Sequence, residues 1–190
     1  DQTAQELLFT SASTPGGFTS EPVSDAEIVA AYDLAKWAPT AFNSQPLRLV
    51  LVNSPEARTK ITDMVMEGNQ ERVRTAPQVV IVAADTSFDK NFELINPGMA
   101  NAPLWKNAEF KHNLAISQTW LQLGYFTLAL RAQGLSVGPM TGIHNAQINE
   151  GFFADSPLQV VAVLTIGHAD PEAKRPRNPR LTDDVVIQSL

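Results

Sequence analysis

Three groups of residues in this 190-residue chain combine types and spacings that can do chemistry. In the first, Pro39-Thr40-Ala41-Phe42-Asn43-Ser44-Gln45-Pro46, two prolines restrict a backbone whose side chains supply both donors and acceptors, a combination suited to receiving a flat polar ligand. In the second, Lys174, Arg175, Arg177 and Arg180 place four cations within seven residues, which is either a solvated tail or a seat for one phosphate. The third, Gly134-Leu135-Ser136-Val137-Gly138, matches G-x-S-x-G, with Asp155 and His168 following in the chain order of an α/β-hydrolase. Its context is wrong for a nucleophile, because an elbow serine lies between a strand and a following helix, whereas these glycines close a long helix and enter a strand. His112, His144 and His168 stand far apart without close acidic partners, so no metal set is expected. Neither nucleotide fingerprint, G-x-x-x-x-G-K-[ST] or G-x-G-x-x-G, occurs.

The elements that must position these groups are read from periodicity. Helical spacing over 3–12 is broken by Pro15-Gly16-Gly17, and Ser24 with Glu27 forms a capping box that starts a helix running to Pro39. The apolar run 47–52 is a strand, and Ser54-Pro55 starts a helix to about Met66, followed by a short helical piece at 68–74. QVVIVAA at 78–84 reads as a central strand covered on both faces, and LQVVAVLTIG at 158–167 as another. Residues 85–105 show no sustained period and read as a long excursion, a lid or part of a substrate pocket. The helix 107–133 is apolar around nearly its whole circumference, so it is expected to be buried on all sides, preferably by sharing with a second subunit. A short strand at 135–138 and a helix at 145–153 complete the regular elements, and the tail 170–190 is expected to lie across another surface, that of a partner subunit.

Composition narrows the functional classes. One domain, 1–190, is expected from the length, and 14 basic against 20 acidic residues, a net charge of -6, argue against nucleic acid as a partner. The absence of cysteine removes thiolate chemistry and disulfides. No run reaches the length of a membrane span and the N-terminus lacks a signal-peptide pattern, so a cytoplasmic protein without membrane attachment is the expectation.

APTAFNSQPLRLVLV at 38–52 resembles the signature loop of the FMN-dependent nitroreductase family. Gly68-Asn69 with Arg72, the turn Gly138-Pro139-Met140-Thr141-Gly142, and the tail Pro176-Arg177-Asn178-Pro179-Arg180-Leu181 match further segments in the same order, and most resemble the malonic semialdehyde reductases of pyrimidine catabolism. The resemblance covers about residues 7–183. It implies an α+β, three-layer α/β/α fold with a mostly antiparallel sheet of four or five strands, assembled as a homodimer that shares its sites between subunits. It also implies FMN as cofactor and NADPH or NADH as co-substrate, with ping-pong hydride transfer through the flavin to a nitroaromatic, quinone, enal or semialdehyde, and no catalytic side chain beyond the cofactor.

By the same resemblance Ser13, Thr14, Arg177 and Arg180 face the phosphate, and Asn69 and Arg72 the flavin N1/O2 edge. Pro139, Met140, Thr141 and Gly142 flank N5, while Pro39, Thr40, Ala41, Asn43 and Gln45 serve the flavin of the other subunit. The match departs at one place: an arginine is expected where this chain has Ser13, leaving Ser13, Thr14 and the Gly16-Gly17 backbone as an uncharged anion nest. Loose FMN, compensation by tail arginines, or a non-catalytic flavin- or ligand-binding protein on the same fold are the readings this leaves. Arg48 and Arg131 are candidates for holding a substrate carboxylate, with structural roles the alternative.

Overall fold

Strand β2, Gln78–Asp85, is buried along its whole length, and everything else is layered about it. The computed structural model describes residues 1–190. Strands β1 (Leu47–Leu51), β2, β3 (Ser136–Met140) and β4 (Leu158–Gly167) form one sheet in the order β1-β2-β4-β3, with every neighbouring pair antiparallel. Alternate residues of β2 feed two separate cores, as a strand with two covered faces requires. Val80, Val82 and Ala84 pack with residues of α2 (Asp25–Ala35) and α6 (Ala108–Ala132). Val79, Ile81 and Ala83 pack with Ile61 of α3 (Pro55–Asp63), Val73 of α4 (Glu67–Thr75) and Ile148 of α7 (Asn145–Phe153). The three-layer α/β/α expectation is therefore realised, with four strands.

Local sequence chemistry sets the helix ends. The Ser24 backbone N–H donates to Glu27 Oε2 at 2.8 Å and the Glu27 N–H to Ser24 Oγ at 3.3 Å, so the capping box is complete and holds the Glu27 carboxyl below its ordinary pKa. Ser54 accepts from the Ala57 N–H at 3.1 Å with Pro55 in the first helical position. Helix α6 opens on Asn107, whose Oδ1 accepts from the Phe110 N–H at 3.0 Å, and closes at Gly134, whose φ of +79° a residue with a Cβ adopts only with strain. The N-terminal helix differs from expectation: α1 (Gln2–Gln5) widens into a π turn over Glu6–Thr10.

Helix α6 is not buried on all sides within one chain. One face, including Ala115, Gln122, Phe126 and Leu130, is sealed against the sheet, while Trp120, Leu121 and Tyr125 remain 42, 41 and 42 % exposed. The excursion after β2 is ordered by aromatic packing rather than by a regular helix, which is why it carries no period. Phe88, Phe92 of α5 (Phe92–Ile95) and Trp105 pack on one another with ring centroids 5.0–5.8 Å apart. Beyond Ala173 the tail is exposed throughout, with one short helix, α8 (Asp183–Val186). No helix is long and apolar enough to cross a membrane.

Candidate functional site

The loop between α2 and β1 is pinned from both sides. Phe42, Asn43 and Gln45 all have positive φ, at 59°, 55° and 44°, a left-handed conformation unfavourable for residues with a side chain and kept only where surroundings enforce it. The enforcing contacts come from α6 and from the excursion. The Ala41 N–H donates to Gln118 Oε1 at 2.8 Å and the Leu47 N–H to the buried Gln122 Oε1 at 3.0 Å. Asn96 Nδ2 donates to the Phe42 carbonyl at 2.7 Å, Asn43 Nδ2 to the Ile95 carbonyl at 2.9 Å, and the Phe42 ring meets Trp105 edge-on. Within the loop, Gln45 Nε2 donates to Asn43 Oδ1 at 2.9 Å. Pro39, Thr40, Ala41, Asn43 and Gln45 thus form one rigid, partly exposed surface, as their spacing suggests.

A second surface forms from other elements of the chain. Phe9, Ser13, Thr14, Arg72, Arg131, Arg175, Arg177 and Arg180 line a cavity of about 450 Å³, together with Ala12, Pro176 and Asn178. Five arginines face it and no carboxylate does, in a chain whose net charge is -6. None of the five takes part in an ion pair: the chain's arginine–carboxylate bridges are Arg48–Asp85 and Arg74–Glu71. Arg131 donates to the Leu8 carbonyl at 2.8 Å, Arg177 to that of Ala12, and Arg180 to that of Asn178, while the Arg72 and Arg175 side chains make no hydrogen bond within the chain. Desolvation, with the like charge of Arg177 facing it, holds Arg131 below the usual arginine pKa. Such a cluster is the arrangement that a dianion stabilises.

Strand β3 joins this cavity to a second set of polar groups. A Cβ added at Gly138 would lie 3.5 Å from Thr14 Cγ2, so the hydroxyl segment packs beside the start of β3. Past its far end, Asn69 Nδ2 donates to the Gly142 carbonyl at 3.0 Å, and a Cβ at Gly142 would strike that nitrogen at 2.6 Å. Asn69 and Arg72, three residues apart on α4, connect the turn to the arginine cavity. The Thr141 and Gly142 N–H groups donate no hydrogen bond within the chain. One continuous surface therefore carries the cations, two hydroxyls and two free backbone donors.

Ser13, Thr14, Arg72, Arg177 and Arg180 come together in the cavity, Asn69 and Gly142 join through the turn, and Pro139 and Met140 belong to β3 itself. The loop 39–45 lies outside this cavity. The fold brings Arg131, a candidate for a substrate carboxylate, and Arg175, a member of the tail cation cluster, into the same cavity. Arg48 is consumed structurally, by Asp85 at 2.6 Å and by the Gln45 and Leu47 carbonyls at 2.9 Å. Ser136 opens β3 directly after α6, and His168 approaches Glu21 at 3.6 Å rather than Asp155, so no triad assembles.

A four-stranded antiparallel sheet between helical layers, with an arginine-walled cavity beside its edge strand β3, defines an α+β protein. The chain belongs to the nitroreductase family, whose model matches residues 16–168. A protein of Streptomyces coelicolor provisionally named NADH dehydrogenase/NAD(P)H nitroreductase is 41% identical over 197 residues, covering 100% of this chain and 97% of the relative. Among solved structures, a nitroreductase of Bacillus subtilis superposes with a TM-score of 0.86 at 22% identity, covering 100% of both chains. A nitroreductase of Exiguobacterium sibiricum solved in complex with FMN superposes with a TM-score of 0.84 at 22% identity, covering 98% of this chain and 96% of that one.

Proposed function

We propose that this protein is an FMN-dependent oxidoreductase that uses NADPH or NADH to reduce a small electrophile, a nitroaromatic, quinone or short semialdehyde. The observation that carries this reading is the cluster of five unpaired arginines around Ser13 and Thr14, joined along β3 to free backbone N–H groups. An FMN phosphate dianion has the charge and size that this cluster lacks a partner for. When bound, FMN supplies the redox chemistry, taking two electrons and a proton's equivalent from the nicotinamide as hydride and passing them to the second substrate. The chain's residues bind and orient. Arg131, Arg175, Arg177 and Arg180, with the Ser13 and Thr14 hydroxyls, anchor the phosphate; Asn69 and Arg72 offer a donor and a cation to the N1/O2 edge; the Thr141 and Gly142 N–H groups, beside Pro139 and Met140, donate along the N5 edge.

By the family resemblance the loop 39–45 serves the flavin of a second subunit; its rigidity and its place outside its own chain's cavity support this. This reading makes the protein a homodimer in which the exposed Trp120, Leu121 and Tyr125 of α6 meet a second copy, and the tail 170–190, with exposed Val185, Val186 and Ile187, packs across it. Against the non-catalytic alternative that Ser13 leaves open, the cavity's two further arginines, Arg131 and Arg175, offer the charge an arginine at position 13 would supply. The test is kinetic. With FMN-loaded protein, NAD(P)H under anaerobic conditions bleaches the flavin, and p-benzoquinone added afterwards restores it, with parallel lines in double-reciprocal plots. A flavin that stays oxidised with both nucleotides contradicts the enzyme reading and leaves the binding protein.

A further inference from the structure

Met66 opens α4 at a place where neither capping nor packing calls for methionine. A residue in that position is favoured when its side-chain oxygen accepts a first-turn N–H, and the thioether of Met66 makes no such bond. It belongs to neither buried cluster and is 53 % exposed. Of the chain's four methionines it is the only exposed one, since Met64 and Met99 are partly buried and Met140 is in the core. What holds Met66 is the turn after β3. Its N–H donates to the Gly142 carbonyl at 2.9 Å, Val65 bridges Ile143, and its Sδ stands 3.3 Å from where a Gly142 Cβ would lie. A flexible, half-exposed thioether is therefore laid against the turn whose Thr141 and Gly142 N–H groups have no acceptor within the chain.

We propose that Met66 is a self-oxidation site: hydrogen peroxide formed beside the turn converts its thioether to the sulfoxide, and the new oxygen accepts from the Thr141 or Gly142 N–H. The protein then loses activity as it turns over in air without an electrophile. The inference rests on the flavin reading for the source of the oxidant. With dioxygen in place of the electrophile, NAD(P)H, a proton and O2 give NAD(P)+ and hydrogen peroxide. The peroxide O–O bond breaks as one oxygen bonds to Sδ, the sulfur loses two electrons, and the other oxygen leaves as water. The thioether is a weak acceptor and the sulfoxide a polar one, so oxidation gives the two unpaired N–H groups a partner inside the chain and withdraws them from the cofactor edge. Methionine sulfoxide reductases reverse the change.

The test incubates FMN-loaded protein with NADPH or NADH in air, with catalase present to remove peroxide from bulk solution, and follows oxygen addition at each methionine by peptide mass spectrometry. Met66 gains one oxygen atom at least about tenfold faster than Met64, Met99 or Met140, and activity falls in step. Met66→Leu does not decline over the same interval, and methionine sulfoxide reductases restore the wild type. Oxidation spread evenly over the methionines, oxidation abolished by catalase, or a Met66→Leu variant that declines as fast as the wild type overturns the proposal while the flavin reading stands. If the protein consumes neither nucleotide, the flavin reading fails separately, and reagent hydrogen peroxide on the flavin-free protein decides the rest. Selective oxidation of Met66 that slows amide exchange at Thr141 and Gly142 keeps the sulfoxide contact, and its absence refutes both.

Discussion

Gly16→Ala is the smallest change that separates the docking of the tail from the fold. The added methyl carbon would lie 1.8 Å from the Ala173 carbonyl oxygen and 3.0 Å from its carbon, and both are backbone atoms that no rotamer change can move. Ordinary heavy-atom contact begins near ~3.4 Å, so the two segments must part by roughly 1.5 Å. That displacement stretches the Asp170 to Gly17 and Arg177 to Ala12 hydrogen bonds, each contributing about 0.5–1.5 kcal/mol. The tail, not the core, yields, because both bonds lie outside the two buried clusters. A global unfolding free energy lowered by about 1–3 kcal/mol or less is expected from urea titration. FMN affinity falls further, by about a hundredfold or more, since Arg175 and Arg177 move together and each charge-assisted bond is worth about 1.5–3 kcal/mol. Gly17→Ala is the internal control: its Cβ meets only the Ala173 methyl, at 3.2 Å, which a shift of a few tenths of an ångström accommodates. Wild-type FMN affinity and unchanged tail exchange in Gly16→Ala would refute the reasoning.

Three further outcomes follow from the geometry. Gln122→Leu leaves the buried Leu47 N–H without its acceptor and costs about 1–3 kcal/mol in urea denaturation; no loss would mean that the contact at 3.0 Å does not hold the start of β1. Tyr125→Glu places a charge on the exposed apolar face of α6 and is expected to halve the mass found by light scattering, whereas an unchanged dimer mass would put the interface elsewhere. Ser24→Ala removes a helix cap and costs about 1 kcal/mol near neutral pH. Its bonds depress the Glu27 carboxyl, so the capping contribution is complete above the ordinary value of 4.5 and is lost as pH falls through the lower folded value. The stability gap between wild type and variant therefore narrows as pH falls below the ordinary carboxyl value of 4.5 and through the lower folded one, and a gap independent of pH would contradict the assignment.

What the sequence made legible was local. QVVIVAA and LQVVAVLTIG announce buried strands because both faces of β2 and β4 are covered, and the capping signals at Ser24 and Ser54 act within three residues of themselves. The three-layer class and the direction of strand pairing came through the resemblance rather than from any run of residues. The apolar circumference of α6 was legible, but its meaning was not, since one chain buries one face and leaves Trp120, Leu121 and Tyr125 exposed. The excursion 85–105 hid its order because Phe88, Phe92 and Trp105 hold it by ring packing without periodic spacing. Arg131 was invisible as a cavity residue because it sits near the end of a long apolar helix, 44 residues before Arg175 (175 − 131), and only the pairing of the tail with 12–19 brings the two together. The one early signal was the density of cations at 174–180, which left a solvated tail and a phosphate seat both open.

The central claim, that the arginine cavity holds the phosphate of a flavin, is tested most directly by the visible absorption spectrum of freshly purified protein, followed by denaturation and identification of the released chromophore. The account predicts a yellow protein that releases FMN at close to one per chain. A colourless protein that also refuses added FMN contradicts it.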